Sequence, residues 1–342
     1  MDIPETMRAV VLTGHGAIDK LEFRETYPVP APDPDGVLVA VSACGVNNTD
    51  INTRVGWYSG GSWGEGLHFP RIQGADVVGA IAAVGDRVSA RRVGERVIVD
   101  PWIRGTDLDQ ARYLGSELDG GFAEYVAVPS ENAHRIDSDL SDVELATFPC
   151  SYSTAEHMLT RAAVGPGQWV LVTGASGGVG GALIQLAKRR GARVVALTSV
   201  EKMEAVRAIG ADVVLDREGD DLAADVQSAT GGVDIFADVV GGDWFPSLLE
   251  TIRRGGHYVV AGAVAGPIVD LDLRTLYLHD LTMHGATVVP EEVFASLLTT
   301  IRAGEIAPRV DRVFPLELLV EAQEYFLERA HLGAVVIEIG RP

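Results

Sequence analysis

The chain has 342 residues, enough for about two domains, and its 47% hydrophobic content with 39 glycines fits a soluble α/β protein. Forty-eight acidic against 28 basic residues give a net charge of −20, which argues against nucleic acid or an anionic membrane as the main partner. Two cysteines, Cys44 and Cys150, exclude a disulfide framework and a four-cysteine zinc lobe, and suit a reducing cytoplasm.

Residues 1–150 read as β-rich. Strands are expected at Met7–Leu12, Val37–Ser42, Val77–Val84, Arg96–Val99 and Ala123–Val128, punctuated by Gly, Pro and Asp. Their close spacing is that of a small barrel. The N-terminus has neither a basic nor an apolar leader region, and no apolar run approaches membrane-spanning length. After the run Ala43-Cys-Gly-Val-Asn-Asn-Thr-Asp50 comes a Gly-rich stretch with Trp57, Tyr58, Trp63 and His68; Trp102 and Tyr113 fall in a second irregular stretch. Such aromatics suit either loop packing or a planar, apolar substrate.

From residue 151 strands alternate with helices. The apolar run Trp169–Val172 enters Gly174-Ala-Ser-Gly-Gly-Val-Gly180, then an amphipathic helix with Ala182, Leu183, Leu186 and Ala187, then Gly191 and the strand Arg193–Thr198. This is a βαβ unit of the kind that cradles a dinucleotide pyrophosphate. Gly174, Ala175, Ser176, Gly177, Gly178, Val179 and Gly180 form the turn, with Ala175 where the strict G-x-G-x-x-G pattern has its first Gly. Further elements are a helix near Lys202–Ile209, strands Asp212–Leu215 and Val233–Val240, a helix near Trp244–Ile252, and strands His257–Ala261 and Leu281–Val289. The pattern predicts a parallel, doubly wound sheet over 151–289. Gly241, Ala261 and Gly262 follow strands whose C-terminal ends border the ligand crevice of such sheets. Helices near Pro290–Ala303 and Leu316–Arg329 and a strand Ala334–Ile339 close the chain, so that 1–150 and 290–342 are expected to form one domain. The cleft between two such domains is the expected active site.

The ordered motifs from Ala43–Asp50 through Pro70–Gly79, Ala83–Val88, Val93–Val97, Gly120–Tyr125 and the Gly-rich turn to Gly333–Val336 resemble the medium-chain dehydrogenase/reductase superfamily over nearly the whole chain. The resemblance implies a GroES-like β-barrel catalytic domain plus a Rossmann domain. It also shows where zinc-type relatives hold their catalytic metal. Asn47 stands at the first ligand Cys and Ala75 at the ligand His, while Cys150 keeps the later Cys. One thiol, one amide and one methyl make a poor zinc site, so no metal is expected. The pattern is then similar to the zinc-independent, quinone oxidoreductase-like branch, which reduces quinones or activated alkenes with NADPH. Asn52 stands where that branch often has an aromatic, so the proton donor is left unassigned.

Asn47 and Thr49 are the expected catalytic residues, Thr49 matching the proton-relay hydroxyl of zinc relatives; Asn47 could alternatively serve as a loop cap. Asp50 and Asp76 are expected to hold loop backbone, and Thr154 to lie near the cofactor. At the end of the second nucleotide-domain strand, Thr198, Ser199 and Lys202 suit the 2′-phosphate of NADPH, whereas Glu201 could instead read a ribose, and Lys202 could be a solvated helix residue. The expectation is an NADPH-dependent oxidoreductase acting on a small-molecule quinone or enone, cytoplasmic, and dimeric through the strand Leu281–Val289. The alternatives are an alcohol dehydrogenase with a degenerate metal site and a non-catalytic NADPH-binding sensor.

Overall fold

A computed structural model describes residues 3–59, 67–88, 93–107 and 110–340. The chain forms two compact units, Met1–Cys150 with Pro308–Pro342, and Ser151–Ala307. Trp63 lies outside the described residues.

The first unit is built on the strand Gly36–Val46, all but one of whose residues are buried. Along one side it pairs antiparallel with Asp76–Val84. On the other side its first half takes Tyr125–Pro129 and its second half takes Ala334–Glu338. Two register shifts, at Leu38/Val39 and Val41/Ala43, bend the strand so that one sheet can wrap a core. Arg96–Val99 and Ala133–Arg135 extend that sheet at one end and Val310–Pro315 at the other. A three-stranded sheet of Leu21–Pro28, Thr6–Leu12 and Arg71–Ile72 joins it through the Ala9–Ala123 bridge. Leu12, Leu38, Val39, Ile81, Phe122 and Val335 fill the interior. This is the barrel the resemblance implies. Trp102–Ile103 and Arg112–Tyr113 are not irregular but pair as a short antiparallel ribbon.

The second unit is a six-stranded parallel sheet. Its order is Val213–Asp216, Arg193–Thr198, Trp169–Val172, Val233–Asp238, Ile252–Val260 and Thr282–Gly285. The order reverses beside Trp169–Val172, the switch point at which doubly wound sheets open a ligand crevice beyond their strand ends.

Two expectations need correction. The strand expected at Leu281–Val289 stops at Gly285, because its neighbour Ile252–Val260 ends opposite that residue and offers no further ladder. Residues 290–307 belong to the second unit rather than the first. The helix Glu291–Arg302 buries Val293, Phe294, Leu297, Leu298 and Ile301 and packs on the helix Ser151–Arg161. Ala307 is tied to the same unit, donating to Gln185 Oε1 (2.8 Å) and accepting from Gln185 Nε2 (3.0 Å).

Candidate functional site

In the first unit the strand Gly36–Val46 passes through Asn47 directly into the helix Asn48–Val55. Two buried carboxylates fix this junction. Asp50 Oδ2 accepts the Asn47 backbone N–H (2.8 Å), and Oδ1 accepts that of Gly74 (3.1 Å). Asp76 Oδ2 accepts the Asn47 side-chain amide (2.6 Å), and Oδ1 accepts the Cys150 backbone N–H (2.5 Å). Three segments distant in sequence, around 47–50, 74–76 and 150, are thereby pinned together. Gly45 allows the approach: a Cβ there would lie 2.5 Å from both Asp76 Oδ2 and the Ala146 carbonyl. Asp50 and Asp76 therefore hold loop backbone, and Asn47 sits at the helix N-cap with its amide turned to Asp76.

Burial pushes the Asp50 carboxyl up to about 7, against the pull of the Asn47 and Gly74 N–H groups. Burial likewise raises Asp76 to about 7, opposed by the Asn47 amide and the Cys150 N–H and reinforced by the charge of Asp50. Burial, with Asp76 adding to it, keeps the Cys150 thiol protonated well above its ordinary range. Thr49 is half-buried beside Tyr58, whose oxygen accepts the Asn52 amide (3.1 Å). The Tyr113 ring lies against Trp102 with centroids 4.6 Å apart, and burial first, with Cys150 and Asp76 adding to it, holds its phenol well above its ordinary value.

These residues do not fit a catalytic zinc. Ala75 is fully buried and offers only a methyl, and the Asn47 amide is directed at a carboxylate, so Cys150 alone remains as a good donor among the three positions. Among the described residues there is no group of three or more His, Cys, Asp or Glu poised to hold a metal ion.

In the second unit Gly177 is the N-cap of the helix Gly178–Arg189, which starts straight after the strand Trp169–Val172 and its turn. Helix N-terminal amides gathered in this way suit a pyrophosphate. Close packing requires the glycines: a Cβ at Gly180 would fall 2.1 Å from the Gly174 carbonyl oxygen, and one at Gly178 would fall 2.5 Å from Ser151 Oγ. The turn residues 174–180 are brought beside the end of the strand Arg193–Thr198 through Ala175 N–H to Leu197 O. They also lie beside the loop after Val233–Asp238, since Val239 approaches Gly174. Gly241 N–H donates to Asp238, and the Ala261 N–H donates to the Asp238 carbonyl, while Gly262 lies against Val239. Gly241, Ala261 and Gly262 thus gather at the same end of the sheet as the Gly-rich turn. Thr154 is half-buried on the helix Ser151–Arg161.

Thr198 is buried, and its hydroxyl makes no hydrogen bond among the described residues, as fits a group awaiting a ligand oxygen. The Glu201 carboxyl is lowered by its own backbone N–H, by the Ser199 hydroxyl and by the charges of Arg217 and Lys202, while Arg217 is itself ion-paired with Glu218 (3.0 Å). Arg217 was not expected. It follows the strand Val213–Asp216, and its N–H donates to the Thr198 carbonyl (2.8 Å). The signal was the parallel register, which sets Asp216 opposite Thr198 and so brings the next residue to the same strand end.

With this geometry in hand, comparison with known proteins is decisive for the family. Residues 33–138 match the alcohol dehydrogenase GroES-like domain and residues 178–303 the zinc-binding dehydrogenase domain. An NAD-dependent alcohol dehydrogenase from Sulfurisphaera tokodaii is 30% identical over 92% of this chain and 95% of its own length. The chain belongs to the medium-chain dehydrogenase/reductase superfamily. The human quinone oxidoreductase is 28% identical over 93% of each chain. The crystal structure of a Sinorhizobium meliloti 1021 protein, provisionally described as an alcohol dehydrogenase, is 46% identical with a TM-score of 0.94, covering 98% of this chain and 97% of that one. Members of this superfamily bind a nicotinamide cofactor, and the chain is accordingly a medium-chain oxidoreductase. No helix among the described residues is long and apolar enough to cross a membrane.

The buried carboxylates give a pH signature. A carboxyl whose folded pKa is raised contributes stability below its unfolded pKa, and that contribution is lost as pH rises through the folded value. For Asp76 the window runs from 3.8 to about 7. The urea midpoint of the wild type should therefore fall relative to that of Asp76→Asn as pH rises through this window. Parallel midpoint curves would contradict it.

Proposed function

We propose that this oxidoreductase is a zinc-independent, NADPH-dependent reductase that delivers hydride to a quinone or an α,β-unsaturated carbonyl. The carrying observation is that the donors of a catalytic metal are replaced by a closed Asn47–Asp76–Cys150 network, while the second unit keeps a glycine cradle and an unpartnered buried Thr198 hydroxyl. An activated alkene needs only hydrogen bonding at its carbonyl oxygen to accept hydride at its β-carbon, so such a site does not require a Lewis acid. The cofactor, when bound, supplies the hydride.

The residues that would hold the cofactor are the turn Gly174–Gly180 for the pyrophosphate and Thr198, Ser199 and Lys202 at the adenosine ribose, with Arg217 beside them. Gly241, Ala261, Gly262 and Thr154 would border the nicotinamide half. Lys202 and Arg217 lie at this strand end beside Glu201, and Arg217, now ion-paired with the exposed Glu218 at 3.0 Å, can exchange that partner for a 2′-phosphate, which favours NADPH over a bare ribose. In the first unit Asn47 and Thr49 are the groups we assign to the active site, Asn47 by holding its loop on Asp76. The two free cysteines suit a reducing, cytoplasmic setting.

An alcohol dehydrogenase reading has the names of several relatives in its favour. A panel of quinones, enones and alcohols separates the two. Purified protein should oxidise NADPH with a quinone or enone and carry no zinc. About one zinc per chain, lost together with alcohol oxidation on chelation, would establish the other reading.

For cofactor choice, Lys202→Ala should reduce the ratio of kcat/KM for NADPH over NADH by about ten- to a hundredfold, the loss of one charge-assisted contact. An unchanged ratio would remove Lys202 from the phosphate site.

We assign the assembly as a homodimer through the sheet edge Thr282–Gly285. That edge is flanked by the exposed apolar side chains Leu273, Tyr277, Leu278 and Met283. Sedimentation should give twice the chain mass, and Met283→Lys should shift it toward the monomer; a wild-type monomer at all concentrations would refute this.

A further inference from the structure

The junction that carries Asn47 and Thr49 is held by more than its two aspartates. Inside the first unit a chain of buried polar side chains reaches it from segments far apart in sequence. Arg54 Nε donates to Gln323 Oε1 (3.0 Å), Gln323 Nε2 donates to Gln73 Oε1 (3.2 Å), and Gln73 Nε2 donates to the Asp50 carbonyl (2.6 Å). Gln323 lies fully buried on the helix Leu319–Leu327. Arg54 lies in the last turn of the helix Asn48–Val55. There its Nη1 donates to the Gly16 carbonyl (3.1 Å), and its own carbonyl accepts the Gly16 N–H (2.8 Å).

This chain can run in only one direction. A guanidinium has N–H donors and no acceptor, so it holds Gln323 with the amide oxygen toward Arg54 and the NH2 group turned away. That NH2 group in turn holds Gln73 with its oxygen toward Gln323 and its NH2 group toward Asp50. Were either amide reversed, like groups would face each other out of water, at the cost of unmatched buried donors and acceptors. Asp50 is therefore clamped on two consecutive residues, its carbonyl on Gln73 and its carboxyl on the Gly74 N–H. The second carboxyl oxygen takes the Asn47 N–H. Filling space does not call for such a chain. Apolar side chains of similar shape would pack there without desolvating a guanidinium that, among the described residues, meets only the Gln323 and Gly16 oxygens.

We propose that Gln323 is a positioning residue for the active site: from the C-terminal helix, and through Gln73, it sets the place of Asp50 and with it that of Asn47 and Thr49. This rests on the reductase reading above, which assigns Asn47 and Thr49 to the site.

The test is Gln323→Glu in the full chain, which keeps the shape and exchanges the NH2 group for an oxygen. A carboxylate at this position meets Arg54 through a charge-assisted bond, so the fold is not weakened at that end. It cannot donate to Gln73, whose amide then turns over and withdraws its donor from the Asp50 carbonyl. The thermal midpoint should therefore not fall, while hydrogen exchange of the Asn47 and Gly74 N–H groups, both bonded to Asp50, should quicken by about fivefold or more. Exchange in the strand Trp169–Val172 of the other unit should stay as in the wild type. Enone kcat should fall about tenfold, with KM and NADPH affinity within about twofold. Unchanged exchange at Asn47 and Gly74, or kcat within about twofold of wild type, overturns the assignment. Gln73→Met removes the same donor from the other side of the link and should quicken the same two amides, so it decides the matter should Gln323→Glu not fold. The double variant should lose no more kcat than the worse single one, because both break one link; losses that multiply overturn the proposal. A wild type that oxidises no reduced nicotinamide with any acceptor sinks the reductase reading, and the exchange comparison still decides Gln323.

Discussion

Carboxylates removed from water must be met by N–H or O–H donors, and this requirement organises the chemistry-bearing loops of both units. Asp50 and Asp76 bind the backbone of Asn47, Gly74 and Cys150 in the first unit. In the second, buried Asp238 accepts from Thr173 Oγ1 (2.6 Å), from Tyr258 (3.0 Å) and from the N–H groups of Val240 and Gly241. The turn that follows its strand is thereby folded back against the Gly-rich segment. Asp50 is met by backbone alone and Asp76 and Asp238 by backbone and side chains together, so removal of any of them would leave buried donors unmatched.

The arrangement around Asn47 has an electrostatic consequence. Two fully charged carboxylates would oppose negative charge developing on a substrate oxygen nearby. Their pKa values of about 7 mean that near neutral pH each is protonated for much of the time, which weakens that opposition. In the proposed reaction, the burial that makes Asp50 and Asp76 effective clamps would therefore also lessen their repulsion of an oxyanion. The same burial holds Cys150 as a thiol, a poor nucleophile toward the electrophilic alkenes proposed as substrates.

What could be read from sequence was what depends on local chemistry. The turn Gly174–Gly180 was legible because strand, glycines and helix are consecutive and each glycine answers a steric demand. Arg96–Val99 was placed to the residue for similar reasons, its short apolar run Val97–Val99 being bounded by Gly94 and by Asp100-Pro101. The helix Glu291–Arg302 was legible as a helix but assigned to the wrong unit, because periodicity shows that a face is buried and not what buries it. The strand after Leu281 was drawn four residues too long because its end is set by its neighbour's end. Arg217 was missed for a related reason: its place follows from the parallel register, which sets Asp216 opposite Thr198 and can be read only once the strand pairing is known.

The net charge of −20 bears on how a polyanionic cofactor can be held. The field of the whole surface disfavours its approach, but at physiological ionic strength that field decays over about 8 Å. Binding must therefore rest on contacts made within that distance. The turn supplies helix N-terminal amides, which carry no countercharge to be desolvated elsewhere, and the strand end supplies Lys202 and Arg217. At that strand end Arg217 is ion-paired with Glu218 (3.0 Å) and Glu201 lies beside it, so the two cations offset neighbouring acids rather than reverse the overall balance. In the proposed NADPH reading a 2′-phosphate would take Arg217 from Glu218, an exchange that a bare ribose, bringing no charge, could not make.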